Sequence, residues 1–172
     1  STVSLVSTDL GYPVYQKAGF VEQTRYLFFI RGSGKMTKKM HLPHIRRAKV
    51  IDQTKMYELD REISGEYRET LIRPFLDRAW VCEAGQGIRG YYLPGLKEGT
   101  ILASDKEAGL NLMAFKYRNI HKAVLPADNE AGIRFLKENR FEPVAMARRM
   151  IYGKPISFQP EKIYSRIAGN FG

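Results

Sequence analysis

The chain is written as short apolar runs separated by amphipathic stretches, and that pattern predicts its elements in order. Val3–Ser7 is β-branched and predicts a strand. Leu10–Lys17 predicts a helix, with Asp9 ahead of it and Pro13 in the first turn, where a missing N–H costs little. Ala18-Gly19 ends that helix with a residue tolerant of positive φ. Thr24–Ile30 (TRYLFFI) is apolar at nearly every position and predicts a strand covered on both faces. After the Gly- and charge-rich stretch Arg31–His41, Ile45–Ile51 predicts a strand. Thr54 is placed to cap a helix over Lys55–Ile63, whose Met56, Leu59 and Ile63 form one stripe and which Ser64-Gly65 stops. Tyr67–Arg78 predicts a second helix, bent or broken at Pro74. Trp80–Glu83 and Ile88–Leu93 flank a turn and predict a hairpin. Thr100–Ala103 is a strand, and Ser104 or Asp105 caps a helix over Lys106–Tyr117. Lys122–Leu125, Asn129–Asn139 and Val144–Tyr152 follow as strand, helix and strand. The last twenty residues read as a surface tail anchored by Tyr164, Ile167 and Phe171. This order specifies an α/β (α+β) domain with a mixed, mostly antiparallel sheet, not a doubly wound one, because helices and strands do not strictly alternate.

One phrase occurs twice. Residues 10–20 (LGYPVYQKAGF) align without gaps on residues 131–141 (AGIRFLKENRF), placing Gly11 on Gly132, Val14 on Phe135, Tyr15 on Leu136 and Phe20 on Phe141. The register holds to Gly32 on Gly153. Each copy is a strand, a helix and a strand, so the chain reads as the tail of one domain followed by the whole of a related one. The expected boundaries are 1–31 for that tail, 32–44 for a basic linker and 45–172 for the second domain.

Composition narrows the class. A chain of 172 residues, 44% hydrophobic, is long enough for one packed core and short for two. No apolar run approaches the roughly 20 residues of a membrane span. The start carries no basic n-region, so no signal peptide is expected, and it carries no Met, so a preceding piece is expected to be missing. A single cysteine, Cys82, allows no internal disulfide; it reads as a small core residue and points to the cytoplasm. No metal site is expected. The net charge of +10 is uneven: between Glu22 and Asp52 there is no acid, but Arg25, Arg31, Lys35, Lys38, Lys39, Arg46, Arg47 and Lys49 are present. Such a stretch is either a solvated linker or an attractor of anions. It lacks the interleaved aromatics of a single-strand binding face, so nucleic acid is not the expected partner.

The segment VSLVSTDLGYPVYQKAGFVEQTRYLFF, with its Tyr-x-x-x-Gly-Phe phrase at Tyr15–Phe20, resembles the end of a GCN5-related N-acetyltransferase (GNAT) domain. Residues from Ile45 onward resemble the diverged second domain of bacterial tandem GNAT proteins. The marks are Leu59, Asp60, Gly65 and Arg68; Ala103, Asp105 and Gly109; and Arg149, Met150 and Gly153.

The resemblance implies transfer of an acetyl group from acetyl-coenzyme A to an amine on a small molecule or peptide. It places the general acid at Tyr15, whose phenol can protonate a departing thiolate; the alternative is an amphipathic tyrosine at a helix end. The second copy has Leu136 there, which has no proton to give. It places the phosphate cradle at Ala103, Ser104, Lys106 and Gly109, with Asn129 as a weaker contact. Asp105 and Glu107 stand where the family has glycines. Two carboxylates repel a diphosphate, at about 4 kcal/mol per charge pair 4 Å apart at intermediate dielectric. The chain itself is therefore expected to be weakly active or inactive. A non-catalytic module for dimerisation or substrate recognition is the other reading. The two-sided strand Thr24–Ile30 needs neighbours, from the second domain or from another copy, so a dimer or strand exchange is expected.

Overall fold

The computed structural model describes residues 2–34, 36, 42, 44–85 and 87–169. Phe171, expected as an anchor, and Lys35, Lys38 and Lys39 of the basic stretch lie outside the described residues. Strand β1 (Thr2–Ser7) leads through helix α1 (Tyr12–Lys17) to the long strand β2 (Val21–Arg31). The helix starts two residues later than expected; Gly11 is its N-cap, and Asp9 pairs with Arg148 instead.

Strand β3 (Ile45–Arg47) is shorter than the expected Ile45–Ile51, because the chain turns into a 3-10 turn at Val50–Asp52. Arg46 drives that turn: it donates to both Asp52 and Glu83, and the Lys49 N–H also donates to Asp52. Helix α2 (Gln53–Ser64) then begins with Asp52 as its N-cap residue, so Thr54 sits inside the helix and does not cap it. Gly65 ends it with φ of 72°, and a Cβ there would lie 2.2 Å from the Ser157 carbonyl oxygen. Helix α3 (Glu69–Ile72) gives way at Arg73–Arg78 to 3-10 structure around Pro74. Strands β4 (Trp80–Ala84) and β5 (Gly87–Leu93) form the expected hairpin. Then come β6 (Thr100–Ala103), α4 (Lys106–Lys116), β7 (Lys122–Pro126), α5 (Glu130–Glu138) and β8 (Phe141–Gly153).

The last segment corrects the sequence reading most. It is not a surface tail: Ile163–Ser165 is a buried strand, β9, paired with β6. All paired strands are antiparallel, in two sheets ordered β1-β8-β2-β7 and β3-β4-β5-β6-β9.

The four-stranded sheet carries the internal repeat in its geometry. Exchanging β1 for β7 and β2 for β8 reverses the strand order and leaves it otherwise unchanged. Tyr26 pairs with Ala147, the residue it meets when Gly11 is laid on Gly132. A local two-fold axis therefore passes through that pair, as at an isologous interface. β2 is the central strand its apolar sequence demanded, and both its neighbours, β7 and β8, come from its own chain.

Two cores result. One lies under α4 and α5 and joins both sheets through Phe29, Leu112, Met113, Tyr117, Leu125, Leu136 and Phe141. The other lies under α2 and packs Met56, Leu59, Ile63, Tyr91, Leu93, Leu102 and Ile163. Cys82 is a buried free thiol in the first, pushed up from its ordinary pKa by burial.

Candidate functional site

Strands β6 and β7 are not bonded to each other, and both point their carboxyl ends at one hollow of about 410 Å³. In open sheets such a crevice at the carboxyl ends of strands is where ligands sit. Ser104, Asp105 and Lys106 line one wall, Asn129, Glu130 and Arg134 another, and Tyr164 of β9 a third. Four of the expected cofactor residues thus meet here or at its floor. Ser104 and Lys106 face the hollow, Asn129 stands across from them, and Gly109 lies beneath Tyr164. Ala103 is fully buried in β6, paired with Gly90.

The turn from β6 into α4 is held by Asp105. Its carboxylate accepts from the Ala108 N–H at 3.1 Å, capping α4. It also accepts from Arg89 Nε at 2.6 Å and Ser104 Oγ at 3.2 Å. Burial alone would raise this carboxyl; the Arg89 guanidinium, the Ala108 N–H and the Ser104 hydroxyl outweigh it and hold the pKa below the ordinary value. Arg89 reaches Glu107 as well, at 3.6 Å. The free N–H groups of a helix start are what a phosphate would use. Here a side-chain carboxylate already uses one, and a second carboxylate stands beside it.

Gly109, the last small residue of the expected cradle, is already covered by protein. A Cβ built on it would lie 2.2 Å from the Tyr164 ring. Asn129 is equally committed: its Oδ1 accepts from the Gly132 N–H at 2.8 Å, capping α5, and its Nδ2 donates to the Ile163 carbonyl at 2.9 Å. The residues present do not fit a coenzyme A diphosphate.

Tyr15 is not part of this hollow. It lies on α1, which buries none of its residues, and its ring meets Phe20 edge-on at 5.6 Å. Tyr15 is 37% exposed, whereas its repeat mate Leu136 is 0% exposed. Val14 is 65% exposed and its mate Phe135 is 7% exposed.

Sequence reasoning missed the groups around β9. Lys116 is buried and donates from Nζ to the carbonyls of Glu98 and Gly99 and to Ser165 Oγ, each at 2.7 Å. Burial lowers its pKa to about 7. Arg166, just past β9, forms two bonds to Glu98 and stacks on Phe28. The signal available was a lysine on the apolar stripe of α4. The Leu59–Arg68 phrase, by contrast, is structural: Arg68 grips Asp60 with two bonds, and Tyr91 donates to the same carboxylate. The basic stretch is likewise partly spent on the protein itself. Arg25 pairs with Glu22, Arg31 is buried against Phe141, and Arg47 caps the Arg78 carbonyl and covers Trp80.

Comparison with known proteins agrees with this architecture. A crystal structure from Pyrococcus horikoshii, described as that of a candidate acetyltransferase, superposes over 99% of this chain with a TM-score of 0.78 at 20% identity. GCN5-related N-acetyltransferase structures from Sphaerobacter thermophilus and Anabaena variabilis superpose with TM-scores of 0.56 and 0.54 at 14% and 12% identity, over 92% and 86% of this chain. At these identities the likeness is one of fold. The chain spans only 60%, 62% and 45% of those proteins' lengths. No curated protein sequence matches it at a significant level. Residues 56–165 match the Acetyltransferase (GNAT) domain, from α2 to β9, and the chain belongs to the GNAT acetyltransferase family.

Proposed function

We propose that this protein belongs to an N-acetyltransferase that moves an acetyl group from acetyl-coenzyme A to an amine on a small molecule or peptide, with its reacting centre away from the Asp105–Gly109 turn. In this reading residues 1–31 close a first GNAT domain, 32–44 link it onward, and 45–172 form a second GNAT-like domain kept for recognition or scaffolding. Tyr15 holds the proton that the departing thiolate takes.

The observation that carries this reading is the two-fold repeat in the sheet. α5 buries Phe135 and Leu136, but α1 leaves the matching Val14 and Tyr15 in solvent. Among the described residues, β1 pairs on one side, with β8. The rest of a first domain would cover α1 as α4 covers α5. The alternative, a non-catalytic module that dimerises, would use the same free edge of β1, and sedimentation of the chain alone would show it.

The test is kinetic. In a form of the protein extended before Ser1, Tyr15→Phe lowers kcat by about 10²-fold and leaves the KM for acetyl-coenzyme A within about twofold. An unaltered kcat removes Tyr15 from the reaction.

A further inference from the structure

The gap between β6 and β7 runs through the molecule, and β9 is what closes it. At the carboxyl ends of the two strands lies the 410 Å³ hollow, with Tyr164 in its wall. At their amino ends lies a second hollow of about 570 Å³, lined by Phe28, Ile120, Val124 and Val144, with Ser165 and Lys116 in its wall. The two cavities are separated by the three residues of β9.

The segment Ile163–Arg166 sits in the gap by main-chain bonding on both sides. β9 pairs with β6, and the Arg166 N–H donates to the Val124 carbonyl of β7 at 3.2 Å. Three buried polar side chains are aimed at this segment. Asn129 donates to the Ile163 carbonyl, Thr100 Oγ1 to the Ser165 carbonyl at 3.0 Å, and Lys116 to Ser165 Oγ. Arg166 is clamped by Glu98. Buried polar groups are costly unless each has its partner, and these find theirs by holding one short strand in place.

We propose that Ile163–Arg166 is a built-in occupant of a ligand slot. The segment stands where an extended, amide-bearing chain with an anionic end would lie, which is the chemistry of coenzyme A, and the Asp105 carboxylate stands where that anion would meet the α4 N–H groups. The inference rests on the reading that this domain does not bind the cofactor, and adds that the slot persists and its stopper is one segment. Loss of affinity then has two separable causes, the acidic turn and the strand.

The experiment separates them by calorimetry with coenzyme A and hydrogen exchange of the 163–166 amides. Asp105→Gly/Glu107→Gly clears the turn alone and leaves coenzyme A unbound, with those amides still protected. Adding Tyr164→Ala and Lys116→Met frees the strand as well. This fourfold variant binds coenzyme A at least tenfold more tightly than the turn variant, and protection of 163–166 falls at least tenfold when coenzyme A is added. Binding by the turn variant with 163–166 still protected overturns the proposal, as does a folded fourfold variant that binds nothing. Should that variant not fold, exchange in the unaltered protein decides. Amides of β9 that open at least tenfold faster than those of β6 support a stopper; β9 and β6 exchanging together contradict it. Coenzyme A binding by the unaltered chain would instead defeat the reading of the domain as closed.

Discussion

Gly109 shows how one residue reports on the whole site. In an open helix position a Gly→Ala change stabilises by about 1 kcal/mol, because alanine loses less backbone freedom. Here the added methyl would meet the Tyr164 ring, and overpacking a filled core costs about 1–3 kcal/mol. Gly109→Ala therefore lowers stability in urea denaturation, and a gain would mean that Tyr164 does not lie there. Lys116 gives a second residue-level outcome. Its folded pKa is about 7, against an ordinary value of 10.5. Between those values the unfolded chain binds the extra proton, so this group makes stability rise with pH, by about 1.4 kcal/mol per pH unit at most. Measured from pH 7 to 9, the unaltered protein gains stability relative to Lys116→Met; parallel profiles would show that Lys116 titrates as an ordinary lysine.

Among the elements, those with a complete local signal were legible in the sequence. β6, the β4–β5 hairpin and both capped helices, α4 and α5, stand where turn residues and apolar stripes put them. The repeat announced a strand–helix–strand unit, and the apolar TRYLFFI announced a strand needing two neighbours. β9 was not legible, because Ile-Tyr-Ser is too short to alternate and its partners Thr100, Lys116 and Asn129 are remote in sequence. The start of α2 was misplaced for a similar reason: the chain turns early because Arg46 gathers Asp52 and Glu83, a contact no local pattern encodes. Of the candidate site, the turn and its acids were legible, but the strand lying on Gly109 was not. The central position of β2 has a consequence of its own. Nicking the chain by protease between residues 32 and 44 leaves two pieces that elute as one in size-exclusion chromatography, since β2 bonds to β7 and β8 along nearly its whole length. Pieces that separate without denaturant would contradict that sheet order.

As a whole molecule, the protein packs a strand–helix–strand unit against an α/β core that shares Phe29 with it, while the helix of that unit buries none of its residues. The two are stitched into one sheet about a local two-fold axis, with the α1 face exposed where its repeat mate on α5 is buried. A net charge of +10 is not in itself a binding site when several of the arginines concerned pair with the protein's own acids, ring faces and carbonyls. The chemistry that the family carries passes through a cofactor site, and in the reading proposed above the slot in this domain is held shut by Asp105, Tyr164 and β9. Isothermal titration of acetyl-coenzyme A into the unaltered chain tests this most directly. The account predicts no heat of binding up to millimolar cofactor. A micromolar dissociation constant that Tyr164→Trp abolishes would contradict it.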